Sequence, residues 1–215
     1  NMNIDFSKVN FESILIGAFA GLLLKSILDR ILIALKLNRQ RKVIFDYSNL
    51  IGLDKSAQYI HDLEYIKKYI LAEEEDEIND FQNSNYAVDA MPTFTSAIFK
   101  SFTQDDLRRI AFTTNNYIII LDILYSIDFL KDYMPLQLWE KYHIKVRDHF
   151  ESKEIENEVE HFKECGYLKR IAKEAVIEID LKRDRAMATH KQFHHLVIQF
   201  KGWDLFWIIK YFIRQ

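Results

Sequence analysis

The chain has 215 residues and a net charge of −3. That length suits one domain with an appendage, and the charge excludes the global basic field that binds nucleic acid by counterion release. Only 5 Gly and 2 Pro interrupt it, so turns are few and long helices are expected. The single cysteine, Cys165, excludes an internal disulfide and fits a reducing compartment; with no His or Asp pattern beside it, it reads as a buried structural thiol. Asn1, ahead of Met2, reads as a tag remnant.

The first element is ILIGAFAGLLLKSILDRILIALKLNRQRK, Ile14 to Lys42. The preceding MNIDFSKVNFES lacks a basic n-region, and no small-residue cleavage site comes before Lys25, so a signal peptide is rejected. The uninterrupted apolar run ends at Leu24, short of the about 20 residues a bilayer needs. Extension to Leu35 supplies the length and includes Lys25, Asp29 and Arg30. On a helical wheel with Lys25 at zero, Asp29 falls near about 40°, Lys36 about 20°, Ser26 about 100° and Arg30 about 140°. Ile16, Ala20, Leu23, Leu24, Ile27, Leu28, Ile31, Ala34 and Leu35 take the opposite arc. Gly17 and Gly21 form a small-xxx-small pair where a neighbouring helix can approach closely.

Two readings compete for this helix. One is an amphipathic helix in a soluble bundle; the other is a transmembrane helix. The glycine pair, the basic stop at Arg39, Arg41 and Lys42, and the position in the chain favour the second. Asp5, Lys8 and Glu12 lie at the other end, so the charge asymmetry places the N-terminus outside and the body in the cytoplasm. Intramembrane charges normally face a bundle interior or a wet cavity. With one span per chain, that interior comes from other copies. A homo-oligomer is therefore expected, with Lys25, Ser26, Asp29 and Arg30 lining a lumen. Domain boundaries follow at 1–42 for the span and 43–215 for a cytoplasmic helical body.

From Val43 onward the periodicity is helical. Asp54 is expected to cap a helix with Tyr59, Leu63, Ile66 and Ile70 on one face, ending in the acidic run AEEEDEIND. QNSNYAVDAMP, closing at Pro92, is the clearest loop. Thr103 in TQDD resembles a capping box and opens one helix running to Met134, at helical spacing through Leu124, Ile127 and Leu130. Asn116, Asp122 and Asp128 argue against a second span there. Pro135 starts the next helix, which Gly166 terminates. A long helix then runs to Phe200, a break falls near Gly202, and DLFWIIKYFIRQ forms a last helix. It is too short to span a bilayer, and Trp203, Trp207 and Tyr211 recur on it at i, i+4. The fold class is all-α.

No phosphate loop, nucleophile elbow or H-E-x-x-H occurs, and no cofactor or metal is expected. His190 and His194 stand four apart, as zinc ligands do, but lack a third ligand because His195 points elsewhere. The sharper feature is KRDRAMATH. Arg185 and His190 fit an R-x4-H spacing, and Arg183 fits R-x6-H to the same His. An imidazole exchanges protons near neutral pH, and a guanidinium forks onto phosphate and stabilises developing charge. Lys182, Arg183 and Lys191 would add positive charge for an RNA strand, while Asp180 and Asp184 are placed to hold Arg185. Ala186 offers no side chain to orient it.

This spacing resembles the HEPN signature. Together with the GAFAGLLLKSILDR helix, the chain resembles the small membrane accessory proteins encoded beside the RNA-guided, RNA-cutting effector of type VI-B CRISPR systems. The resemblance implies an N-terminal transmembrane helix followed by a HEPN-like bundle, assembled as a ring of roughly eight subunits in the bacterial inner membrane. It implies a pore that strengthens antiviral defence by depolarising the membrane after the effector has cut viral RNA. It implies a functional link to that effector, not direct nucleic-acid binding by this chain. Because HEPN nucleases usually carry a polar residue where Ala186 stands, the expectation is no enzymatic activity; the alternative is a membrane-tethered HEPN ribonuclease.

Overall fold

The computed structural model describes residues 11–72, 99, 101–131, 135–151, 166–202 and 204–214. All regular structure among them is helical: α1 (Phe11–Asp46), a π-helical segment (Tyr47–Gly52), α2 (Leu53–Leu71), α3 (Gln104–Ala111), α4 (Thr114–Lys131), α5 (Pro135–Glu151), α6 (Gly166–Phe200) and α7 (Asp204–Arg214). The loop ending at Pro92, most of the acidic run, Cys165, Trp203, Asp5 and Lys8 lie outside the described residues.

The helices divide into two compact units. The first joins α1, as far as Arg41, with α7; the second runs from Lys42 to Lys201. In the first unit, Phe11 to Ile33 is exposed on every side. It is the one helical stretch among the described residues that is long and apolar enough to cross a membrane. At 1.5 Å per residue it measures roughly 35 Å, the scale of a bilayer's hydrocarbon core. Its polar stripe is narrower than the wheel of charged residues implies. Leu22 and Leu32 fall within about 60° of Lys25, so the helix is apolar all round, with three charges set into it. Below Ile33, Ala34, Leu37, Asn38 and Arg41 are buried. Arg41 donates to Asn38 Oδ1 (3.0 Å) and to Asp204 Oδ1 of α7 (2.9 Å), and its guanidinium lies 5.8 Å from the Trp207 ring centroid.

The second unit is built around α6, which packs on α2, α4, α5 and the π-helical segment. Burial along α6 follows Ile179, Lys182, Ala186, Thr189, Phe193, Leu196 and Phe200, alternating steps of three and four. That 3.5-residue period is the seam of a coiled coil. Ser56, Tyr59, Leu63, Ile66 and Ile70 answer it from α2, and Ile120, Ile123, Ile127 and Leu130 from α4. Tyr69, Trp139 and His143 cluster between α2 and α5, with ring centroids 4.4 to 5.7 Å apart.

Several boundaries differ from the sequence reading. Asp54 caps nothing: Gly52, just before α2, is itself helical (φ −60°, ψ −46°), and the chain runs as one helix from Phe11 to Leu71 through the π-helical segment. Thr103 does cap, its Oγ1 accepting from the Asp106 amide at 3.1 Å. The helix it opens stops at Ala111, because Phe112 turns left-handed (φ 59°), and Thr113 Oγ1 caps α4 through the Asn116 amide. Gly166 is the first residue of α6, and the expected end of the Pro135 helix lies outside the described residues. The break at Gly202 is present, with φ 157°, a conformation side-chain-bearing residues rarely adopt.

Candidate functional site

Two sets of candidate residues lie in separate units. In the first, Lys25, Ser26, Asp29 and Arg30 all sit on the exposed stretch of α1. A Cβ built on Gly17 or Gly21 meets nothing within 4 Å, so the face carrying the glycine pair is uncovered within this chain. The structure thus leaves both the charged positions and the small-residue patch accessible along a bilayer-length helix.

In the second unit, Arg185 and His190 share α6 but not a direction. Five residues apart, they are turned about 140° from one another around the helix. Arg185 faces α4, where its Nη2 donates to Asp122 Oδ1 at 2.6 Å and to the Asp122 carbonyl at 3.4 Å. Its guanidinium carbon lies 5.4 Å from the Tyr125 ring centroid. Gln192, two turns along α6, donates its side-chain amide to the other oxygen of Asp122. Partial burial of Asp122 opposes its charge. The bonds from Gln192 and Arg185, with Arg185's positive charge, outweigh it, and the carboxyl sits below its ordinary 3.8.

His190 faces α2. Its Nδ1 lies 2.8 Å from Ser56 Oγ, which itself donates to the Gly52 carbonyl at 2.6 Å. One turn along α6, Phe193 presses on Gly52 so closely that an added Cβ would lie 2.6 Å from its ring. Thr189, between Arg185 and His190, is fully buried and donates to the Arg185 carbonyl. His195 Nε2 lies 3.0 Å from Asn116 Oδ1 on α4, and His194 is exposed. No group of three or more His, Cys, Asp or Glu able to hold a metal occurs among the described residues.

The neighbouring charges are placed differently from expectation. Asp180 and Asp184 do not hold Arg185. They pair with Arg183, at 3.1 and 3.2 Å, and Asp180 also receives Lys67 at 2.7 Å. Lys182 is buried, its ammonium 3.4 Å from the Phe129 ring centroid. Of the three extra cations, Lys191 is the one standing exposed on the surface. Ala186 is fully buried, and Arg185 is oriented by Asp122 across the bundle. Asp122, Gln192, Ser56 and Gly52 complete this arrangement, and sequence reasoning missed all four. One signal was present: a carboxylate inside the apolar run YIIILDILY must find a cationic partner.

Chemically, the arrangement is a pair of clamps. One joins α6 to α4 through Arg185 and Asp122, and the other joins α6 to α2 through His190 and Ser56. The comparisons with known proteins add no relative: no family model, no curated protein and no solved structure matches this chain.

Proposed function

We propose that this protein is a non-enzymatic membrane protein whose α1 helices assemble, copy against copy, into an ion-conducting pore. The observation that carries the reading is the exposed stretch Phe11 to Ile33, with Lys25, Asp29 and Arg30 set into a bilayer-length apolar helix. A lone span would hold these charges in hydrocarbon at roughly 2.5–3.5 kcal/mol each on insertion scales. A lumen built from several copies removes that cost. Gly17 and Gly21 offer the close helix–helix approach that such a ring needs.

The cytoplasmic unit then acts as a HEPN-like helical body whose R-x4-H pair is structural. Arg185 and His190 are spent on different neighbouring helices, whereas a phosphate-cutting site needs both aimed at one substrate. The resemblance to the accessory proteins of RNA-targeting CRISPR systems gives the pore its setting: depolarisation of the bacterial inner membrane in antiviral defence, with the body in the cytoplasm. The test is the mass of the detergent-solubilised protein together with ion leakage from vesicles containing it. A closed ring of about eight subunits with leakage is expected; a monomer, or a ring that holds an ion gradient, overturns the proposal.

A further inference from the structure

Helix α7 carries a second apolar surface that the packing of its own unit leaves open. Trp207 and Tyr211 are buried and stacked, with ring centroids 5.8 Å apart and planes 13° from parallel. They lie on the side that Arg41 holds through Asp204 and the Trp207 ring. Leu205, Phe206, Ile209 and Ile213 are 66%, 77%, 47% and 78% exposed. With Leu205 at zero on the wheel, these four fill an arc of about 100°. Lys210 follows at about 140°, and the docked Trp207 and Tyr211 at about 200° and 240°. The order around the helix is therefore open apolar face, basic edge, docked face.

We propose that α7 is an interfacial helix, its Leu205–Phe206–Ile209–Ile213 face seated in the headgroup layer of an anionic bilayer beside the α1 span. This rests on the membrane reading of α1. Three observations choose lipid over a second copy as the occupant. First, the edge of the open face carries Lys210, and the helix's one carboxylate, Asp204, already serves Arg41; an apolar face bordered by lysine is the composition of helices lying on anionic membranes. Second, α7 is fastened to α1 at Arg41, eight residues past Ile33, or about 12 Å along the axis. A headgroup layer of roughly 5–7 Å starts where the exposed apolar stretch ends, so the tether lies about 5 Å beyond that layer, a gap that an 11-residue helix of about 16 Å can span. Third, Lys36 and Arg39, exposed on α1 between the span and Arg41, extend the same positive band.

The experiment uses the full chain with Cys165→Ser, reconstituted in vesicles of phosphatidylcholine and phosphatidylglycerol. Single cysteines carry an environment-sensitive fluorophore at Phe206→Cys, at Leu22→Cys in the span, or at Lys191→Cys on α6. Lipid-attached spin labels read lipid contact, and aqueous iodide reads open water. The label at 206 is expected to lose about half its emission to spin-labelled lipid and to be shielded from iodide. That loss should shrink when Lys210→Glu is added or when the anionic lipid is left out. The label at 22 should be quenched by lipid in all cases, and the label at 191 by iodide alone. Quenching at 22 with none at 206 overturns the inference and leaves the span standing. Iodide shielding at 206 without lipid quenching then assigns the face to protein, a neighbouring copy included. Absence of lipid quenching at 22 overturns the membrane reading of α1 and this inference with it.

Discussion

Gly52 shows how one side chain's absence positions the rest. It lies at the end of the π-helical segment and under the Phe193 ring, and its carbonyl receives Ser56. Alanine there has two opposed effects. Helix propensity favours it by about 1 kcal/mol, while forcing a methyl against a buried ring costs about 1–3 kcal/mol. Because Phe193 is fully buried and its ring would lie 2.6 Å from the new methyl, Gly52→Ala is expected to lower the melting temperature. The same substitution on a Phe193→Leu background should instead be neutral or stabilising, and paired melts followed by circular dichroism check the reversal. Asp122 gives a pH signature. Its folded carboxyl is held below 3.8, so the stability it adds is fully present above that value and is lost as the pH falls through the lowered one. Asp122→Asn is expected to be less stable than the parent at neutral pH by about 1 kcal/mol, small because the pair is partly exposed. Melts at decreasing pH should show the gap closing in strong acid; a gap that stays constant would mean the carboxylate's charge plays no part.

At the scale of elements, α1 and α6 use apolar residues to different ends. The α6 pattern alternates three and four, so one seam is buried, while Ile177, Leu181 and Ile198 stand exposed outside it. Along Phe11 to Ile33 no such seam exists, and that stretch stays uncovered. Replacing Lys25 and Asp29 by Leu together should make membrane insertion easier by roughly 6 kcal/mol and so keep the protein in the membrane fraction. If those side chains line a conducting lumen, the double variant should lose vesicle leakage while keeping its oligomeric mass. Leakage equal to the parent's would show that conduction does not pass over them. Helices α2, α4 and α6 respond differently: the pairs Lys67–Asp180 and Arg185–Asp122 join one helix to another, so removing one partner affects the stability of the body.

For the whole molecule, the two clamps on α6 give Arg185 and His190 separate partners, on α4 and on α2. Purified protein is expected to leave single-stranded RNA intact across neutral pH, because Arg185 and His190 point to α4 and α2. Arg185→Ala should cost about 1–2 kcal/mol of stability by freeing Asp122 and Gln192. RNA cleavage that disappears in both Arg185→Ala and His190→Ala would establish the ribonuclease instead. Much of this architecture is legible without coordinates. Scarce Gly and Pro imply long helices, the spacing of Tyr59, Leu63, Ile66 and Ile70 names a buried face, Thr103 and Pro135 mark helix starts, and α1 declares its hydrophobic length. These are local properties, set by propensity, capping and periodicity within a few turns. The continuous run through the π-helical segment, the left-handed stop at Phe112 and the partners of Arg185 and His190 were decided only by tertiary structure. Asp122 lies 63 residues from Arg185, and Ser56 lies 134 from His190. No local pattern encodes which of several nearby carboxylates an arginine will meet, because packing of the α6 seam against α2 and α4 fixes that choice.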